Sequence, residues 1–231
     1  MFTMMLLAHV LGDYVLQFNA LARWKARSPI GVLAHGLLVT VMTVVCALVI
    51  VPGWWSYALL IGAIHTLIDL VRSQLIVVTH PALELLWYLA DQCIHLITIA
   101  LVVFLSGVQA QTKLMRGSGA VLTVLILLQP TWVLLRFVVR AVWGTAAAPP
   151  LGAGDKVAPM VERLLIAGLA FAGYGYLAPL ILLPRRLARL HRDGGAVIIY
   201  LNETTHWAET LLGMTLALAL GSLLRFWLLS P

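Results

Sequence analysis

Three pairs of residues in the N-terminal half could do chemistry: His9 with Asp13, His65 with Asp69, and Asp91 with His95. Each pair is spaced four apart, and positions i and i+4 share one face of an α-helix. Each pair therefore presents an imidazole and a carboxylate in one direction. His35 adds a fourth imidazole between the first two pairs. Three aspartates and four histidines make a donor set of oxygen and nitrogen without thiolate. Such a set suits zinc, manganese or iron better than copper(I). It is larger than one tetrahedral zinc requires, so one ion with supporting groups fits, and so do two ions.

These residues sit where charge is expensive. The stretch "IGAIHTLIDL" at 61–70 is otherwise apolar, and the 231-residue chain is 62% hydrophobic and 10% charged, with mean hydropathy +1.00. Soluble domains carry about 25% charged residues, so the composition is that of a membrane protein. A carboxylate at the bilayer centre costs at least about 2.5–3.5 kcal/mol. Three unpaired ones would cancel a protein's whole net stability of about 5–15 kcal/mol. They must face the interior of a bundle and share positive charge. Arg72, three residues after Asp69, is one candidate partner. Protonated histidines and a divalent metal, zinc first, are the others. The expected ligands are His65, Asp69, Asp91 and His95, joined by His9 or His35; Asp13 is the expected catalytic base if it is not itself a ligand. Gln17 continues the face of His9 and Asp13, Ser73 that of His65 and Asp69, and Glu84 and Tyr88 that of Asp91 and His95. Gln17, Arg72, Glu84 and Gln92 are the expected supporting groups. A buried proton relay or a structural polar network would use the same residues.

The elements that must position these groups are membrane-length helices of about 20 residues. Apolar spans are expected at about 1–18, 30–51, 54–78, 82–107, 119–143, 159–183 and 205–229. The fold is therefore all-α, a polytopic transmembrane bundle of about seven spans. The N-terminal stretch lacks the basic n-region of a signal peptide, so the first span is expected to be retained. Between the first two spans, "NALARWKARSP" reads as interfacial, and Pro29 marks a helix start. "VPGWW" reads as a turn with interface tryptophans, and Pro130 can kink the fifth span. Five crossings between the basic stretches 23–27 and 185–192 conflict with the positive-inside rule, which makes one segment re-entrant or interfacial. The chain divides into a polar-striped four-helix core at 1–110 and C-terminal helices at 111–231, with "GTAAAPPLGAGDK" at 144–156 as a linker.

The remaining polar residues carry weaker signals. Cys46 and Cys93 lie in apolar spans without CxxC spacing and are expected as small core residues. His80, His191 and His206 lie near span ends and read as interfacial. Glu162 and Arg163 open the sixth span as an interface anchor, Arg185 and Arg186 close it, and Glu209 lies deeper in the last span, within reach of an arginine or the cavity. Glu162 and Glu209 form a possible second site. The chain has no GxSxG, no phosphate loop, no GxGxxG and no HExxH. Its net charge of +6 comes from residues flanking the spans rather than from a patch interleaved with aromatics. Nucleic acid is not an expected partner. Membrane lipids are, together with other membrane subunits or a second copy of the chain.

The segments "LLAHVLGDYVLQF", "LAHGL", "HTLIDLVRSQL" and "DQCIHL" resemble a bacterial membrane family, domain of unknown function 3307. The matching positions are His9, Gly12 and Asp13, then His35 and Gly36, His65 and Asp69, and Asp91, Gln92 and His95. The resemblance covers about the first 110 residues. "VERLLIAGLA" and "HWAETLLGM" follow it more loosely, with Glu162 and Glu209 in the matching places. It implies a multi-pass protein of the bacterial inner membrane. In site type the set is similar to intramembrane metal hydrolases such as alkaline ceramidases. The expected function is an intramembrane metal-dependent hydrolase acting on a lipid-like amide, ester or phosphoester. A metal-ion or proton transporter or channel subunit, and a structural subunit of a membrane complex, are the alternatives.

Overall fold

The structure, a computed structural model, describes residues 1–75, 80–108, 112–145, 156–192 and 200–229. Most of the expected linker, 146–155, lies outside them, as do the side chains of Arg185, Arg186 and His191. The chain is an all-α polytopic bundle. It divides into two compact units, Met1–Leu122 and Thr123–Pro231. All four His/Asp-bearing helices fall in the first.

In that unit α1 (Phe2–Val10) runs into a single π-helical turn, Leu11–Val15. The chain then bends by 92° into α2 (Asn19–Lys25). The pair is a broken span or a re-entrant loop. α3 (Pro29–Ile50) begins with Pro29 in its first turn, where the missing N–H is harmless. Ser28 Oγ caps it by accepting from the Ile30 N–H at 3.2 Å. A 3-10 turn, Pro52–Trp54, leads into α4 (Trp55–Leu75). α5 (Pro81–Leu105) repeats the proline start, and His80 Nδ1 caps it by accepting from the Ala82 N–H at 3.2 Å.

α3 and α4 pack through small residues. A Cβ added to Gly36 would run into the Thr66 side chain, and one added to Gly62 into that of Thr40. The arrangement is reciprocal, a glycine of each helix receiving a threonine of the other. Each threonine hydroxyl is satisfied on its own helix, Thr40 donating to the Gly36 carbonyl at 2.7 Å and Thr66 to that of Gly62 at 2.8 Å. Close backbone approach with internally satisfied hydroxyls is what a helix pair needs away from water. The π-turn presses on α3 in the same way, since a Cβ on Gly12 would lie 2.8 Å from Val39 Cγ2.

The outward faces are apolar. On α3, Leu33, Leu37, Val41, Val45 and Leu48 are exposed, while His35, Val39, Thr43 and Cys46 are buried. That inversion of the soluble pattern fits a lipid solvent. Among the described residues five helical segments have the length and composition to cross a membrane: Pro29–Ile50, Pro52–Gln74, Pro81–Leu105, Arg116–Trp143 and His206–Leu229. The bent N-terminal pair makes a sixth if it counts as one span.

The second unit explains why the expected span at 159–183 is absent. α8 (Val157–Ala172) stops at Gly173, whose φ of +93° is left-handed. The Tyr174 N–H reaches back to the Leu169 carbonyl at 2.7 Å, closing a Schellman-type end. A 3-10 turn, Gly175–Leu177, intervenes before α9 (Ala178–Arg192). Arg225 of α10 (Tyr200–Leu229) donates to the freed Phe171 carbonyl at 3.1 Å.

The span containing Pro130 is interrupted at Leu128, between α6 (Thr112–Leu127) and α7 (Gln129–Trp143). Proline cannot donate to the Ile126 carbonyl, and the Thr131 hydroxyl does so instead at 2.6 Å. Arg163 donates to the Leu127 carbonyl at 2.7 Å and to that of Leu128 at 3.2 Å. Arg163 is buried, so its expected role as an interface anchor is overturned: it mends a helix break. We expect Arg163→Met to lower stability by about 1–3 kcal/mol by leaving a buried carbonyl unmet. Thermal unfolding in detergent reads this, and Arg163→Lys should recover part of the loss.

Two smaller expectations also change. Trp54 is buried and stacked on Tyr57 (ring centroids 5.4 Å apart), leaving Trp55 as the exposed member of the pair. Cys46 is buried, but Cys93 lies exposed on the outer face of α5.

Candidate metal centre

The π-turn carries Asp13, α3 carries His35, α4 carries His65 and Asp69, and α5 carries Asp91 and His95. With His9 from α1 these side chains converge. Asp13 Oδ1 lies 3.2 Å from His35 Nε2 and 3.4 Å from His65 Nε2, and its Oδ2 lies 3.7 Å from His9 Nε2. Asp69 uses its two oxygens differently. Oδ2 is 3.3 Å from His65 Nε2 and 3.5 Å from His35 Nε2, whereas Oδ1 faces His95 Nε2 at 3.9 Å. Asp91 Oδ1 is 3.7 Å from the same His95 nitrogen.

Local structure explains the convergence. The glycine–threonine contacts bring α3 and α4 close at Gly36 and Thr66, the sequence neighbours of His35 and His65. Their Nε2 atoms stand 3.4 Å apart. Gly12, by pressing on Val39, brings Asp13 to His35. His65 and His95 stack with centroids 4.2 Å apart.

The spacings suit a shared cation as well as a hydrogen-bonded network. Two ligands about 2.1 Å from a tetrahedral zinc lie about 3.4 Å apart. The acid–imidazole separations of 3.2–3.9 Å bracket that edge length. Several exceed a good hydrogen bond, which for N–H···O is about 2.7–3.2 Å. Asp91 Oδ1 and His95 Nε2 are buried without a hydrogen-bond partner. Such orphaned atoms are costly unless something positive serves them. Three triads have ligand atoms close enough to share one ion: His9–Asp13–His65, His35–His65–Asp69 and Asp69–Asp91–His95. His65 and Asp69 each belong to two of them.

The supporting groups differ from those expected. Arg72 reaches Asp91 Oδ2 at 2.9 Å, across to α5, rather than Asp69 on its own helix. Asp69 is paired instead with Lys25, whose Nζ lies 2.6 Å from Oδ2. Lys25 was expected at the membrane surface; the 92° bend turns it inward. Gln92 stands behind the site, its Nε2 donating to Asp91 Oδ2 at 3.2 Å and its Oε1 lying 3.4 Å from His9 Nε2. Tyr14, unmarked in the sequence, donates to Gln92 Oε1 at 3.0 Å, and its hydroxyl lies 2.8 Å from that of Tyr88. Gln17 falls past the end of the π-turn and so leaves the face of His9 and Asp13. Glu84 sits half-buried in the first turn of α5, and Ser73 is turned back to the Leu70 carbonyl at 2.8 Å.

Glu162 and Glu209 are in none of the metal-capable groups among the described residues. Glu209 Oε1 lies 4.0 Å from Arg136 Nη2 in the second unit. On one flank of the His/Asp cluster lies a cavity of about 10 Å³, about the room for one water, lined by His9, His65 and His95 with Val39, Thr43 and Ile99 among others.

Residues 1–127 match the family described as "Protein of unknown function (DUF3307)". The chain belongs to this family. The matched region contains every residue of the His/Asp cluster. No curated protein and no solved structure matches the chain.

Proposed function

We propose that this DUF3307 protein is an intramembrane metal-dependent hydrolase of a lipid-like amide, ester or phosphoester, working in the bacterial inner membrane. One observation carries the reading: Asp91 Oδ1 and His95 Nε2 are buried without a hydrogen-bond partner and belong, with Asp69, to one of three overlapping triads whose ligand atoms lie close enough to share an ion. His35, His65, Asp69, Asp91 and His95 would hold one or two divalent ions, zinc first. Bound ions would supply a water of pKa about 7 and polarise the scissile carbonyl or phosphoryl group.

The chain's own residues do the rest. Gln92 holds His9 and Asp91 in place, and Tyr14 holds Gln92. Asp13, against His9 and its side chain 9% exposed, is the proton acceptor. In hydrolysis the water oxygen bonds to the carbonyl carbon or phosphorus, one proton passes to Asp13, and that proton goes to the departing oxygen or nitrogen as its bond breaks. Apolar outer faces bring the substrate in from the lipid side. Membrane lipids, other membrane subunits and a second copy of the chain are the partners that such faces fit.

Elemental analysis of the purified full chain should find at least one divalent ion per chain. His65→Ala and Asp91→Ala should weaken its binding by at least about 100-fold, more than loss of a merely supporting group does. A chelator should stop lipid turnover, and added metal should restore it. A metal-free protein whose stability is indifferent to chelator and to His65→Ala ends the proposal. Metal flux into liposomes without product would instead favour a transporter.

A further inference from the structure

We infer that the substrate group this centre takes is a phosphomonoester, with Lys25 and Arg72 as the residues that bind its oxygens. The inference rests on the metal reading above and narrows its substrate class.

The two cations border the cluster from different elements, Lys25 at the end of α2 and Arg72 in the last turn of α4. Their side chains are 20% and 35% exposed, while the aspartates they touch are 1% and 6% exposed. They therefore stand between the buried ligands and the outside, where an incoming anion would meet them.

Charge then selects the ligand. Asp13, Asp69 and Asp91 bring three formal negative charges against the two positive charges of Lys25 and Arg72, one negative in excess. The ligands divide into two groups about Asp69, His35 and His65 on its Oδ2 side, and His95 and Asp91 on its Oδ1 side. Two divalent ions would turn the balance to a threefold positive excess. In a low-dielectric interior such an excess calls for anions. A neutral amide or ester leaves it whole, and a monoanion leaves most of it. A dianionic phosphoryl group removes the larger part.

Geometry makes the exchange possible. The Lys25 ammonium shares Asp69 Oδ2 with the two imidazoles, so an ion bound there competes with it. The displaced ammonium stays tethered at the mouth with three donors to offer. Arg72 places its guanidinium on Asp91 Oδ2, the oxygen turned away from His95, and keeps further donors in its planar fork for phosphoryl oxygens. In the reaction the water oxygen bonds to phosphorus, the phosphorus–oxygen bond to the alkyl group breaks, and a water proton ends on the alcohol released.

The full chain in phosphatidylcholine nanodiscs, loaded with zinc or manganese and assayed for bound metal, tests this with inorganic phosphate as the calorimetric probe. The metal-loaded protein should bind phosphate and the stripped protein should not. Lys25→Met and Arg72→Gln should each keep the metal content and weaken phosphate by at least about tenfold, as loss of a charge-assisted bond does. Lys25→Arg, which keeps the charge, should bind within about threefold of wild type. Phosphate released from phosphatidic acid in the disc assigns a lipid source, and release from glycerol phosphate in solution a soluble one. Metal-loaded protein that ignores phosphate, or both variants binding it like wild type, overturns the inference. Turnover of a neutral lipid amide with no phosphate binding sinks it while sparing the hydrolase reading. A chain that takes no metal sinks both.

Discussion

Asp69→Leu should remove bound metal and lower stability by about 3–5 kcal/mol, and Lys25→Met made on top of it should return much of the stability but none of the metal. Asp69 is the acid most deeply committed to the site: it is 2% exposed, meets Lys25 at 2.6 Å, and belongs to two of the three triads. Removing one partner of a buried ion pair leaves the other charged and unpaired, which costs about 3–5 kcal/mol. Replacing both with apolar groups of similar volume is often close to neutral. Metal binding has no such rescue, because the oxygens between the two ligand groups are gone in both variants. Thermal unfolding and elemental analysis on one preparation separate the two quantities. Equal stability of the single and double variants would mean that Lys25 and Asp69 are not coupled. Full metal content in either would remove Asp69 from the ligand set.

Gly36→Val should weaken metal binding as strongly as loss of a ligand, although Gly36 holds no ligand atom. A Cβ there meets Oγ1, Cγ2 and Cβ of Thr66 at once, so α3 and α4 must move apart. Overpacking of this kind costs about 1–3 kcal/mol. The functional effect is larger, because His35 and His65 ride on the neighbouring positions and their Nε2 atoms are held 3.4 Å apart. A shift of about 1 Å takes a donor out of a bonding length of about 2.0–2.1 Å. Thr66→Gly in the Gly36→Val background vacates the same space and should restore part of both stability and metal content. Gly36→Val protein with wild-type metal affinity would show that this contact does not set the histidine spacing.

Much of this was legible beforehand. The family resemblance over about the first 110 residues is carried by the same cluster that lies within the matched region 1–127. Helix positions at 30–51 and 82–107 were readable to within a residue or two, because a long apolar run with a proline at its start leaves little choice. The span at 159–183 was not, because composition says nothing of a left-handed φ at Gly173, one glycine among several in that stretch. The role of Arg163 was hidden for a related reason: its partners are backbone carbonyls 35 and 36 residues away, freed by a break whose position depends on Pro130 and Leu128 together.

The sequence by itself determined that three acids and four imidazoles would be buried in apolar helices, and that within each pair they would point one way. Both facts are local, following from hydropathy and from the 3.6-residue turn. Only the tertiary structure decided which cation serves which acid. Arg72 crosses to Asp91 because α4 and α5 lie side by side there, and Lys25 enters because the chain turns by 92° after the π-helical turn. No periodicity encodes that turn or the glycine–threonine contact that sets the histidine spacing. The glycine–threonine contact results from two helices sharing the same space, which is a property of the packed chain.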